Sequence, residues 1–246
     1  MFYHLKNHPF PVEAYFESSI VLTFAVPKEE LEPLIPACLD LDLYNDQWAF
    51  IAVAMVDTKG LKPKALPSIF GNDFFLVGYR VFVKYINKKG KRLRGLYILK
   101  SETNKRKMEW LGCIFTHYNY STTDIQQVCQ HQKTEIKSKK SDFSVLLSDA
   151  SPDISLPQDS PFPDWKAARR YAGPLPFTFT FLSPSQEVLI IEGVRQNWVP
   201  QPIEVVHHHF SYIESLGLKG TKLANAFIIK DVPYHWKKGR TESWGK

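Results

Sequence analysis

Four residues close together in this sequence could do covalent chemistry: Lys100, Glu102, Lys105 and Lys107. Lys100 follows the apolar run Tyr97-Ile98-Leu99, and Lys105-Arg106-Lys107 opens the next segment. Crowded cations disfavour one another's protonated form, and burial adds to that effect. A lysine deprotonated in this way can attack a carbonyl carbon and form a Schiff base. The same spacing also fits a solvated helix start with exposed lysines. Arg80 is the second candidate. Strand alternation groups it with Leu76, Gly78 and Phe82, where a guanidinium must meet water, a carboxylate or a ligand anion. Its planar fork matches a carboxylate with two parallel hydrogen bonds. An internal ion pair with a structural acid is the competing reading.

Other chemistries lack their parts. In His207-His208-His209 the strand period puts His207 and His209 on one face, and His208 with Glu204 on the other. No three ligands share a face, so no metal is expected. There is no GxSxG elbow for a serine nucleophile and no evident carboxylate pair for hydrolysis. Cys113 and Cys129 lie near His117 and His131 in sequence, but such neighbours need not be spatial partners, and Cys113 falls within a helical stretch, where it reads as a small core residue. The three cysteines form no CxxC, which argues against a disulfide framework and a zinc knuckle. That usage suits a reducing compartment, and the expected location is the cytoplasm.

The net charge of +6 is concentrated. Lys84 to Lys107 holds ten Lys/Arg and one acid, Glu102, so the rest of the chain is slightly acidic. A nucleic-acid binder spreads its excess over a face. Here it lies at one turn and one helix start, which fits a solvated turn or a local anion-facing patch. No recognised nucleic-acid motif is present. No apolar run approaches the roughly 20 residues of a membrane helix, and Met1 to Val12 has no signal-type apolar stretch. With 44% hydrophobic and 14% aromatic residues, the 246-residue chain can build a large core.

The elements that must position these residues are mostly strands. Ser18–Val26, Trp48–Asp57, Phe74–Ile86, Leu93–Leu99, Pro176–Leu182, Glu187–Trp198, Pro202–Tyr212 and Ala224–Asp231 all carry strand signals. In the third of these, Phe75, Val77, Tyr79, Val81, Val83 and Tyr85 form a core face, and Arg80 points away from it. Asn87-Lys88-Lys89-Gly90 reads as a hairpin turn. A short helix follows Pro27, a second spans Lys105–Phe115 with Thr103 or Asn104 as its cap, and a third spans Asp164–Tyr171. Lys59–Asp73 reads as a loop. The polar stretch 126–160 reads as a surface excursion with at most one exposed strand. Eight to ten strands, few helices and no βαβ alternation predict an α+β, mainly antiparallel chain with a partly closed sheet.

The order of several short motifs carries a resemblance. Val26–Asp57 contains an acid-rich helix, the run Pro33-Leu34-Ile35-Pro36 and an aromatic strand. Gly78-Tyr79-Arg80-Val81-Phe82-Val83, Tyr118-Asn119-Tyr120, Ala168-Arg169-Arg170-Tyr171, Asn197-Trp198-Val199-Pro200 and Ala226–Val232 follow in that order. From about Ser18 to Trp236 the chain resembles the uncharacterised DUF2071 (YqjF-like) family, which is similar in fold to acetoacetate decarboxylase. The resemblance implies a cone-like β-barrel around an internal pocket, flanked by short helices. The decarboxylase uses a Schiff-base lysine whose pKa a neighbouring lysine lowers. Glu102 followed by Lys105-Arg106-Lys107 looks similar to its local order, although the decarboxylase's Pro-Lys-Lys signature is absent. The resemblance also points to Arg80 and to Arg170-Tyr171 as ligand-binding residues. For Arg170-Tyr171, a tie between helix and sheet is the alternative.

The chain is therefore expected to be one domain over 1–246. Its expected role is to hold a small, mainly apolar ligand bearing a carboxylate or carbonyl. Lys100, Lys105, Lys107 and Glu102 are the catalytic candidates, and Arg80, Arg170 and Tyr171 the binding candidates. No cofactor, metal, nucleic acid or membrane is expected, enzyme status is open, and oligomerisation is compatible. The alternatives are a scaffold module with a side-chain-filled barrel and an anion binder using segment 84–107.

Overall fold

The computed structural model describes residues 3–172, 175–196 and 198–245; Asn197, part of one motif above, lies outside them. Strands dominate. β1 (Val12–Pro27), β3 (Trp48–Pro63) and β4 (Asn72–Ile86) are long and antiparallel, with a two-residue β2 (Asp40–Leu41) beside β4. β5 (Arg92–Thr103) completes the β4 hairpin, and β6 (Tyr120–Thr122) pairs with it in parallel. β7 (Gln126–Gln130), β8 (Lys133–Ser138) and β9 (Phe143–Ser148) form a second sheet with β13 (Val205–Phe210). β10 (Phe177–Leu182), β11 (Glu187–Arg195), β12 (Gln201–Pro202), β14 (Lys222–Trp236) and β15 (Arg240–Ser243) return to the main sheet. The helices are α1 (Lys28–Leu31), α2 (Arg106–Phe115), α3 (Trp165–Ala172) and α4 (Ser211–Ser215), with short 3-10 turns at Tyr3–Asn7, Glu32–Leu34 and Ser68–Phe70.

Seven strands of the main sheet make a ring in the order β14-β1-β3-β4-β5-β10-β11, which a β11–β14 pairing closes. Two seams are narrow: β5–β10 and β11–β14 each share three residue pairs. The closure is therefore partial. Alternation divides each long strand between two environments. Ile20, Leu22 and Phe24 of β1, Ile51, Val53 and Met55 of β3, and Val77, Tyr79 and Val81 of β4 pack in the main apolar core. Ile136, Phe143, Val145 and Leu147 of the second sheet pack with them. The other faces of these strands line a cavity.

Several boundaries differ from the sequence expectation. Lys59–Pro63 is strand rather than loop, because β3 runs on beside the start of β1. The polar stretch 126–160 contains three strands. Phe143, Val145 and Leu147 alternate with half-buried neighbours, so a six-residue strand buries one face within a polar stretch. Pro202–Tyr212 is not one strand: β12 pairs with β14, β13 joins the second sheet, and a helix starts at Ser211. Lys105 rather than Thr103 or Asn104 occupies the cap position of α2. Thr103 Oγ1 accepts the Lys105 N–H at 3.4 Å, and Asn104 Oδ1 accepts the Phe75 N–H at 2.9 Å.

Candidate functional site

The cavity has a volume of about 580 Å³. Its walls come from the ring strands, α2, the N-terminal residues around His8 and the segment Leu61–Phe70. Most of the lining is apolar, and no Asp or Glu is part of it among the described residues.

Arg80 reaches into this space from β4. Its side chain retains accessible surface, yet protein surrounds it, so that surface faces the cavity rather than bulk water. Nε is buried without a hydrogen-bond partner. The ionisable groups that act on it are the hydroxyls of Tyr234, Tyr120 and Tyr118, with no carboxylate among them. Burial lowers the Arg80 pKa, and the three tyrosines oppose that shift. An arginine stays charged even when perturbed, so this is an enclosed positive charge without a counter-ion among the described residues.

Glycines make room for these groups. A Cβ on Gly78 would lie 3.0 Å from Arg80 Nε and 3.1 Å from Nη2, so the guanidinium lies directly over a bare backbone. A Cβ on Gly112 would overlap the Tyr120 ring, and one on Gly193 would overlap the Tyr234 hydroxyl. Three elements, β4, α2 and β11, thus each leave out a side chain where a polar group of the site sits.

The tyrosines stay protonated. Burial raises the pKa of all three, Tyr120 to about 12, although Arg80 pulls the other way. The Tyr118 hydroxyl has no partner, and the Thr178 hydroxyl beside it falls outside hydrogen-bonding geometry. Trp198 Nε1 is buried and unpartnered as well. The site is therefore rich in donors and lacks acidic acceptors.

His8 adds a neutral polar group. Its backbone is left-handed at φ 52°, its N–H donates to Phe115 O at 3.3 Å, and its carbonyl accepts from Gly239 N–H at 2.8 Å. Burial lowers its pKa to about 4, and Nδ1 has no partner. Four of the six unpartnered buried side-chain atoms among the described residues (in His8, Arg80, Tyr118 and Trp198) belong to residues that line this one cavity. Natural proteins rarely leave such groups unsatisfied, so each needs a partner that the cavity can admit, water or ligand.

Comparison with known proteins places the chain. A family model described as DUF2071, an uncharacterized conserved protein, matches residues 13–236. The chain belongs to the DUF2071 family. No curated protein sequence matches it. Among solved structures, the acetoacetate decarboxylase from Legionella pneumophila is similar at a TM-score of 0.64 and 10% identity, over 96% of this chain and 88% of that one. The enduracididine biosynthesis enzyme MppR complexed with pyruvate has a TM-score of 0.57 and 8% identity, over 95% and 90%. An acetoacetate decarboxylase-like enzyme from Sphingomonas wittichii has 0.52 and 11%, over 97% and 94%. This DUF2071 chain thus has an acetoacetate decarboxylase-like fold.

The DUF2071 chain brings only some of the sequence candidates together. The β4–β5 register passes from Tyr79–Lys100 to Arg80–Ile98 and leaves Leu99 unpaired. This bulge reverses the alternation. Leu96, Ile98 and Ser101 line the cavity, while Lys100 and Glu102 turn to the opposite face of β5. There Lys100 Nζ pairs with Glu102 at 2.7 Å, and the Tyr79 hydroxyl donates to Glu102 at 3.2 Å. Lys100 also lies 4.9 Å from the Tyr212 ring centre. Burial, then the Glu102 charge, raises the Tyr79 pKa far above normal. Lys105 is exposed ahead of α2. Lys107 lines the cavity, but its side chain is exposed, which puts it at the rim.

Arg170 and Tyr171 are not part of the cavity lining. Arg170 is exposed, and the Tyr171 ring packs on Tyr44 and Phe162. Their backbone carbonyls accept hydrogen bonds from Arg94, each at 3.2 Å. Arg94 in turn donates to Asp42 at 2.6 Å. Arg170 and Tyr171 thus tie helix to sheet through their carbonyls, with Arg94 of β5 as the donor. Of the triplet, His209 sits 2.8 Å from Glu214 and 3.4 Å from Asp142, and His208 packs on Phe24. No group of three metal-ligand residues occurs among the described residues, and no described helix is long and apolar enough to cross a membrane. Sequence reasoning missed His8, Tyr118, Tyr120, Arg195, Trp198 and Tyr234 as lining residues. Arg195 carried the available signal: it shares the alternate positions of Leu189, Ile191 and Gly193 on β11.

Proposed function

We propose that this DUF2071 protein binds a small organic acid in the cavity, with the acid group on Arg80 and the apolar body against the strand faces. The observation that carries the reading is the Arg80 guanidinium without a counter-ion, in a cavity with no carboxylate among its described lining residues. Charge-assisted hydrogen bonds to a guanidinium are short and roughly twice as strong as neutral ones. The protonated tyrosines can donate to the same anion. The cavity volume falls in the range of about 300–1,000 Å³ usual for small-molecule sites. A structural neighbour, MppR, is complexed with pyruvate, itself a small carboxylate.

A pair of isosteres tests this. Benzoate is expected to raise the melting temperature, and neutral benzamide is not. Arg80→Met should weaken benzoate at least about tenfold, since one charge-assisted bond contributes roughly 1.5–3 kcal/mol. Equal effects of acid and amide, or an Arg80→Met variant that binds benzoate as well as the wild type, would refute the reading.

A further inference from the structure

A second guanidinium faces the same cavity. Arg195 lines it from β11. Its guanidinium carbon lies 4.4 Å from the Trp198 ring centre and 6.0 Å from that of Tyr234. Tyr234 is the ionisable group that acts on it, and no carboxylate does. A cation–π contact orients a charge but does not neutralise it. The Tyr234 hydroxyl is under the influence of both Arg80 and Arg195, so the two arginines flank one phenol. Gly193, two residues before Arg195 on β11, leaves the space in which that hydroxyl sits.

The remaining lining cations are accounted for. Lys62 Nζ is paired with Glu13, and Lys107 is exposed to solvent at the rim. The lining therefore carries two guanidinium charges, Arg80 enclosed and Arg195 partly buried, with no acid among the described lining residues. A monocarboxylate on Arg80 would leave Arg195 without a counter-ion. Enclosed charges in proteins are normally paired.

We infer that the ligand of this site carries two negative charges, with Arg80 holding one and Arg195 the other. This rests on the acid-binding reading above and narrows it to dianions. A dicarboxylate and a phosphate-type head group share that chemistry, and they can be distinguished by separate probes.

The experiment is isothermal titration of the whole chain in Tris at pH 8 and low chloride. The probes share one benzene ring: benzoate, isophthalate and phenyl phosphate. At this pH phenyl phosphate is a dianion, its second pKa being about 6. At least one dianion is expected to bind more than fivefold tighter than benzoate. Isophthalate would then mark a two-ended acid and phenyl phosphate a single head group. Arg195→Met is expected to bring the better dianion to within about twofold of benzoate in the same variant, and Arg195→Lys to keep the preference. If neither dianion exceeds benzoate by fivefold while benzoate binding still needs Arg80, the dianion inference falls and the acid-binding reading stands. If none of the three binds the wild type, both fall. The wild-type comparison needs no variant, so a poorly folded substitution cannot obscure the result.

Discussion

Replacing Arg80 with methionine should make the protein more stable. The guanidinium is enclosed, its Nε has no partner, and the groups that act on it are neutral phenols. Methionine removes the charge and keeps an unbranched stem beside Gly78. Replacing buried charged groups by apolar side chains is commonly neutral or stabilising, by about 1–4 kcal/mol. The dipoles of Tyr118, Tyr120 and Tyr234 reduce the penalty that the substitution removes. A gain of about 1–3 kcal/mol is therefore expected at the lower end of that range. For a chain of this length each kcal/mol moves the melting temperature by roughly 2–4 °C, so the rise should be roughly 2–12 °C. The assay is circular-dichroism melting in Tris at pH 8, free of organic acids. With benzoate added, the wild type should recover part of the gap and the variant should not move. If Arg80→Met melts about 3 °C or more below the wild type, Arg80 is a structural tie and the functional argument fails.

Three further expectations separate the cavity from its surroundings. Glu102→Gln should cost about 1–3 kcal/mol, because it leaves the Lys100 charge beside Tyr79 without its partner, and the partial exposure of Lys100 keeps the cost moderate. Benzoate affinity should stay within about twofold, and a large affinity loss in this variant would place Glu102 in the binding site. His8 gives a pH signature with a definite sign. Its folded pKa, about 4, lies below the unfolded value of 6.5, so the unfolded chain binds more protons between them. The associated stability is complete above pH 6.5 and is lost as pH falls toward 4, by on the order of 3 kcal/mol. Urea unfolding of the wild type against His8→Phe should isolate that slope, and identical slopes would show that His8 is not buried as a neutral imidazole. Borohydride trapping with acetoacetate should yield no adduct on Lys100 or Lys105. Any adduct should map to the cavity lining, with Lys107 the candidate among the three, and an adduct on Lys100 would contradict the β5 register described here.

Much of the architecture was legible because long strands keep their alternation. The apolar residues Phe75 to Tyr85 were readable as a core face, which left Arg80 on the other side of β4. The fold class followed from the strand signals and from the order of short motifs. What could not be read were the points where alternation breaks. The unpaired Leu99 turns Lys100 and Glu102 away from the cavity, yet no residue type there signals a bulge. Asp231, at φ 58°, ends the β14 run in which Phe227 faces the cavity, and beyond it Tyr234 and Trp236 take over that role. His8 is far in sequence from Arg195 and Trp198, and it meets them only through ring closure and the docking of the N-terminal segment. The second sheet was missed for a different reason. Its strands are short and polar on one face, so Ile136 and Phe143–Leu147 show their burial only when β8, β9 and β13 pair.

The most direct measurement is a crystal structure of the protein grown with benzoate in a buffer free of other organic acids. The expected result is a carboxylate within hydrogen-bond distance of the Arg80 guanidinium, with the benzene ring against the apolar wall of the cavity. An Arg80 side chain paired with a protein carboxylate, or benzoate found only outside the cavity, would contradict the account.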